Sequence, residues 1–502
     1  MLRVVNTGKR DSAPAVTAGV VLFLGGVAAI PAAIVDIGVR GGHPIALALA
    51  STSLMLVGFP LALYFGIPRR LTTEELYGSL VVGALAMLAA GAAVMGATGA
   101  VTGVIDVIVE ATAGVSTTAA SVIDDPSKLS RGEQLFRAML QWGSGVVSLA
   151  AIVRVLPRLG IGGLEAGGGV ATRAASRLSP TTGGNLRRLG LLYGAFTGLT
   201  AVAYLVAGMP AFDALNHGLT VASTGGWSTR AGSIGAFDSA AIEWVSIAAM
   251  FGAGVSLPFV FQILRTGRVQ LLWTAIEFRV YIAVAAGSWV VLAFLGDDRS
   301  LAGIRSAGFA ATSAVSTTGL VASNPSEFGG QGAALLITVA AVGGMAASLT
   351  GGLRLARILV VFSVMKRELS RQLHPQLIKR AWVGRSTVGE GVVSRILGEV
   401  MLNIIVAAVG YFALAFYGEE VFSAIGSTLS LLATAGPAYG SVDPETTLTA
   451  LEPAGRIVAA MLMLFGRISV LPVLAAIAVV TKPVRAWLRR SRAWILRPVS
   501  GR

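Results

Sequence analysis

The chain has no cysteine and only three histidines among its 502 residues. The first absence excludes disulfides and thiolate metal sites. His43, His217 and His374 lie far apart in the sequence and match no metal-ligand spacing. Charge is scarce: 13% of residues are Asp, Glu, Lys or Arg, about half the share in a soluble protein. Aromatics make up only 7%. Serines and threonines are plentiful, but no His–Asp partner set accompanies them, so an enzymatic site finds no support. A sizeable soluble domain is also missing, which weighs against a receptor or scaffold.

What remains is 54% hydrophobic and rich in glycine, with 63 of them, and its mean hydropathy is +0.76. This is the composition of a polytopic membrane protein with closely packed helices. The net charge of +14 does not point to nucleic acid, because the basic residues fall in particular loops. These are Arg69–Arg70, Arg154–Arg188, Arg265–Arg268, Lys366–Arg385 and the tail from Lys482. They mark the cytoplasmic side by the positive-inside rule, and both termini are expected there. The apolar run from about Ala15 to Val35 is too long for the core of a signal peptide and predicts a retained helix.

Ten apolar stretches reach the roughly 20 residues that a bilayer requires: 14–35, 44–66, 76–97, 134–157, 188–208, 239–264, 276–295, 332–365, 391–417 and 453–480. Four shorter runs lie between them, near 100–113, 211–223, 301–316 and 420–433. Each leads into a glycine flanked by hydroxyl residues: TAGVSTT (112–118), STGGWST (223–229), STTGLVAS (316–323) and ATAGPAYG (433–440). The unit is long helix, short re-entrant helix, glycine turn, long helix, four times over. Interrupted helices in matching positions are the best sequence pointer to a transport path. Irregular backbone at membrane depth must be buried or line water, and carbonyls ringed around a pore can replace the water shell of a cation.

The aligned glycines are Gly114, Gly226, Gly319 and Gly436. With their neighbours Thr112, Ala113, Thr224, Gly225, Thr317, Thr318, Thr434 and Ala435 they are the expected ion-binding residues, holding a cation by backbone carbonyls. Acidic residues cluster beside the turns, among them Asp106, Glu110, Asp124, Asp213, Glu243 and Asp298. An acidic mouth would concentrate cations. Arg467 lies deep in an apolar helix, where a charge must face water or a partner. The 332–365 stretch, as one helix, would be about 51 Å long against a core of about 30 Å. Gly343, Gly344, Gly351 and Gly352, framing Ser348 and Thr350, mark a break there and supply the expected gate. GIGGLEAGGG (160–169) follows a membrane helix rather than a strand, so it predicts a loop and not a dinucleotide site. A solute carrier is the competing class, but carriers show inverted repeats, whereas these four turns lie on one side.

These residues carry a family resemblance. The run LVAGMPAFDALNHGLT leading to the 223–229 turn, with EFRVY (277–281), EATAGVSTTAASV (110–122), LFRAMLQWGSG (135–145), GGMAASLTGG (343–352), RELSRQLHP (367–375) and LFGRIS (464–469), resembles the TrkH branch of the TrkH/KtrB potassium-uptake proteins. The resemblance covers roughly residues 70–480. It implies an all-α polytopic membrane protein, with two leading helices plus four M1–pore helix–M2 repeats around a pseudo-fourfold pore. The segments are then 1–70 (leading helices), 71–160, 161–270, 271–370 with the gating loop, and 371–502 with the basic tail. It further implies a homodimer in the cell membrane and a TrkA-like cytoplasmic ring that brings the regulatory nucleotide (ATP/ADP or NAD). No covalent cofactor is implied. Glycine at all four filter positions is the family's potassium-admitting pattern, and Arg467 matches the family's arginine below the filter. This chain departs at Ala119, where a second glycine is common, at Trp227, where Phe is usual, and at Ser469, where Glu often stands.

Overall fold

A computed structural model of the chain describes residues 11–67, 71–154, 182–376, 380–384, 386–436, 447–470 and 472–474. The loop of 160–169, most of the basic 154–188 segment and the C-terminal tail lie outside them.

The described chain is almost entirely helical. Seven helices are long and apolar enough to cross a membrane: Ala13–Val35, Pro44–Tyr64, Glu74–Thr98, Arg131–Val153, Leu186–Val206, Ile276–Leu295 and Glu390–Phe416. The two leading helices pack closely on each other. A methyl added to Gly19 or Gly58 would strike the facing backbone, the small-residue contact that holds helices together in lipid. Asp36 ends the first helix fully buried and ties this pair to the body. Its carboxylate accepts from the Ser130 hydroxyl and the Gly132 amide, both at 2.6 Å, and from the His43 amide at 3.0 Å.

Three of the ten expected spans are not continuous helices. The first, 239–264, is two helices, Ala240–Ala253 and Leu257–Thr266, bent by 91°. Pro258 in the first turn of the second piece lacks an N–H and restarts the helix. Gly254 at the corner leaves room for the Tyr281 hydroxyl, which donates to the Phe251 carbonyl at 2.9 Å. The second, 332–365, divides into Gly329–Val342 and Leu355–Leu373. The expected break is therefore present, and it runs over twelve residues of irregular backbone. The third, 453–480, is helical from Pro453 to Ile468 and interrupted at Ser469, whose φ is 70°.

A two-stranded antiparallel hairpin, Ala381–Val383 with Ser386–Val388, is a minor addition to the expected all-helical chain. Its inward residues Ala381, Val383 and Val388 pack with Val360, Val364, Val393 and Ile396. It lies between the helices Leu355–Leu373 and Glu390–Phe416.

Candidate functional site: a ring of four turns

Four short helices lead to the four turns: Val104–Ser116, Ala211–Ala222, Leu301–Val315 and Val421–Leu432. Each ends in the same hydrogen-bonded register. The amides of Thr117, Thr224, Thr317 and Thr434 donate to carbonyls three residues back, those of Gly114, Val221, Ala314 and Leu431. The next amides, of Thr118, Gly225, Thr318 and Ala435, donate five residues back. All four threonines sit in the left-handed region, with φ of 54°, 56°, 51° and 53°. A β-branched residue adopts that conformation only under constraint. Finding it four times at the same place defines the register independently of side chains.

That register corrects the first turn. Thr117, Thr118 and Ala119 correspond to Thr224–Gly226, Thr317–Gly319 and Thr434–Gly436. Gly114, with Thr112 and Ala113, instead lies within the first short helix. Its missing side chain serves packing: a methyl there would collide with Leu140 and come 3.0 Å from the Trp227 indole. Both Thr112-Ala113-Gly114 and Thr117-Thr118-Ala119 read as threonine followed two residues later by a small one. Helix length separates them, since the other three short helices run 12, 15 and 12 residues before their turn. A turn at Thr112 would leave the first with barely two helical turns.

The remaining glycines of the set behave alike. Gly226, Gly319 and Gly436 have φ of 71°, 74° and 99°, the region that glycine alone enters freely. A methyl on Gly226 would overlap the Thr318 carbonyl of the next turn, and one on Gly319 would overlap the Ala435 carbonyl. One on Gly436 would meet Ala119. Between the first and second turns, the Gln141 amide donates to the carbonyls of Thr118 (3.4 Å) and Gly225 (2.9 Å). The contacts close a ring in chain order. The short helices point their C-terminal ends at it, and their partial negative charge favours a cation there.

Outside the ring lies a cavity of about 640 Å³ lined in part by Ala119, Asp124, Gly226, Arg230, Gly319 and Asn324. Four of the acidic residues beside the turns are paired with arginines. Glu110 is fully buried against Arg137 at 2.6 Å, and Asp106 meets Arg456 at 2.7 Å. Asp213 meets Arg230 at 3.2 Å and Glu243 meets Arg305 at 2.6 Å. These four brace the turns rather than present free negative charge, whereas Asp124 lines the outer cavity and Asp297 and Asp298 line a neighbouring one. His217 is likewise a brace, contacting the Asp213 carbonyl at 2.8 Å and the Ser228 hydroxyl at 3.0 Å.

On the other side the ring is covered by the 343–352 segment. Gly343 and Gly352, at φ of 71° and 73°, turn the chain in and out of it. The Thr224 hydroxyl donates to the Leu349 carbonyl at 3.0 Å, and the Gly351 amide donates to the Thr317 hydroxyl at 2.9 Å. Within the loop, Ser348 donates to the Met345 carbonyl and contacts the Thr350 hydroxyl, both at 2.6 Å. Arg467 reaches the same Leu349 carbonyl at 2.7 Å, beside a cavity of about 130 Å³ that also touches Val115, Ser144 and Arg354. Two residues not read from the sequence hold the loop from behind. The Ala346 amide donates to the Glu277 carboxylate at 2.6 Å, and the Met345 amide to the Gly254 carbonyl, at the bent helix, at 3.1 Å. Among the described residues no group of acids and histidines forms a metal cluster.

Fold and site together define a multi-pass helical membrane protein with a ring of backbone turns at its centre. A profile of the TrkH family, described as cation transport protein, matches residues 85–486. The chain belongs to the TrkH family. It is 31% identical over 405 residues to the Trk system potassium uptake protein TrkH of Halomonas elongata, covering 78% of this chain and 80% of that one. The namesake from Salmonella typhimurium is 29% identical over 381 residues, covering 74% and 77%. Among solved structures, the potassium transporter TrkH from Vibrio parahaemolyticus superposes with a TM-score of 0.82. It is 24% identical, and the match covers 92% of this chain and 97% of that one.

Proposed function

We propose that the chain takes up potassium across the cell membrane through the ring of turns, with the 343–352 loop as its gate. The observation that carries this is the shared register: four left-handed threonines, each followed two residues later by glycine or alanine. Such backbone supplies fixed carbonyl dipoles, which bind a cation well enough to admit it and weakly enough to release it. The relatives named as potassium uptake proteins give the ion. Thr117, Thr224, Thr317 and Thr434 form the inner layer of the path. Thr118, Gly225, Thr318 and Ala435 form the next, and Ala119, Gly226, Gly319 and Gly436 the outer one.

The loop sits across the exit of this path, held by Thr224, Thr317, Arg467 and Glu277. Its movement opens the way to the cytoplasm. In this proposal the basic loops face the cytoplasm together with both termini, the chain works as a homodimer, and a TrkA-like nucleotide-binding ring docks on the basic 366–395 surface. The four repeats then fall within 71–160, 161–270, 271–370 and 371–502. Rubidium uptake into proteoliposomes, under an imposed voltage and with sodium in competition, tests the function. Potassium-competed, voltage-driven uptake is expected, and uptake no greater than that of empty vesicles contradicts it.

A further inference from the structure

Three glycines from three separate turns face one point. A methyl built on Gly226 or Gly319 would stand 2.8 or 2.6 Å from the Ala119 methyl carbon, and one on Gly436 would overlap it. The place to which all three are open is therefore the place the Ala119 methyl occupies. Ala119 also differs in backbone: its three counterparts have positive φ, and it does not. Alanine pays for the left-handed region where glycine does not, and at Ala119 the backbone leaves the conformation that the other three share. One quarter of the outer layer thus presents a hydrocarbon group to the axis on a backbone of different conformation.

Its neighbour is fixed in place. The Trp227 indole N–H donates to the Ala120 carbonyl at 3.0 Å, a bond a phenylalanine could not make. The Arg137 guanidinium lies 4.2 Å over the Trp227 ring and pairs with the buried Glu110. Glu110 in turn accepts from the Ser121 hydroxyl (3.0 Å) and the Val122 amide (2.8 Å). The residues just past Ala119 are thus clamped by a bracket of Glu110, Arg137 and Trp227, which leaves the methyl little freedom to swing aside. The two departures at 119 and 227 are parts of one contact.

We propose that Ala119 sets ion discrimination in this chain, its methyl wedge lowering the preference for potassium over sodium, and that Trp227 positions it. The proposal rests on the ring being the ion path. Two effects act in the same direction. The methyl narrows the layer, which disfavours the larger ion, and a backbone outside the shared conformation removes a ligand that the larger ion needs more. Whether cavity size or ligand number governs selectivity in carbonyl filters, the sign is the same.

The test compares the wild type, Ala119→Gly, Trp227→Phe and the double variant in proteoliposomes. Rubidium flux and the potassium-to-sodium ratio from reversal potentials are both recorded. Ala119→Gly should raise the ratio and the rubidium flux severalfold. Trp227→Phe should raise the ratio by less, and should add nothing in the Ala119→Gly background if it acts through Ala119. A ratio unchanged by Ala119→Gly, with both proteins conducting, overturns the proposal. If neither conducts rubidium, the ring is not the ion path and the proposal falls with that function. A second readout needs no transport: in detergent, potassium should protect Ala119→Gly against heat more than it protects the wild type at equal sodium, and equal protection counts against the wedge.

Discussion

Arg467 and Leu349 are joined by a hydrogen bond of 2.7 Å, from the guanidinium Nη1 to a backbone carbonyl. That same carbonyl accepts from the Thr224 hydroxyl on the ring side. Leu349, in the loop proposed as the gate, is thus held between Thr224 of the ring and the arginine. The other guanidinium nitrogens, Nε and Nη2, have no partner among the described residues. The charge is therefore only partly satisfied by protein, and on the proposed path a crossing cation would feel it.

Replacing Arg467 by alanine should raise rubidium flux, because it removes both a clamp on the loop and a repulsive charge. At about 8 Å and an effective dielectric of 20, the repulsion is about 2 kcal/mol, equivalent to a rate change of about thirtyfold at most. Flux through Arg467→Ala in proteoliposomes measures this. An unchanged rate in a well-folded variant makes the arginine purely structural.

The loop should be loosened from behind as well. The Glu277 carboxylate accepts from the Ala346 amide in a buried setting, and such a charge-assisted bond contributes about 1.5–3 kcal/mol. Glu277→Gln should therefore raise basal flux, and deletion of 345–350 should give constitutive flux that no longer answers to the regulatory ring. A deletion variant that inserts normally and still closes refutes the gate.

Gly114→Ser should leave ion preference alone and damage stability. The added side chain would collide with Leu140 and crowd Trp227, and overpacking of this kind costs about 1–3 kcal/mol. Thermal unfolding in detergent should show the loss, while the potassium-to-sodium ratio of the remaining active protein stays at its wild-type value. A large rise in sodium flux would return Gly114 to the filter.

Much of this was legible in the sequence, and the failures have physical causes. The break at 343–352 was readable because glycine density and excess length are both local signals. Gly226, Gly319 and Gly436 were readable because each stands two residues after a threonine at the end of an apolar run. The first turn was misread by five residues because two threonine-x-small patterns overlap there, and only the length a helix needs distinguishes them. The bend at Gly254 had a signal in Pro258, hidden within an apolar stretch of spanning length. Pairing of the acidic mouth was beyond reach, since Asp106 and Arg456 are brought together only by tertiary structure.

Glu110→Ala should be the most damaging single change in the bracket. It leaves Arg137, itself buried at 4% side-chain exposure, without its carboxylate, and breaking a buried pair in this way costs about 3–5 kcal/mol. Reduced yield and a lowered melting temperature should follow. A variant as stable as the wild type would show that the pair is not needed to hold the first turn.

The claim that the four turns are the ion path is tested most directly by locating the ion. Crystals grown with rubidium should show anomalous scattering on the axis enclosed by Thr117, Thr224, Thr317 and Thr434, lost when sodium replaces rubidium. Rubidium bound at well-defined sites elsewhere in the protein, with that axis empty, would contradict the account.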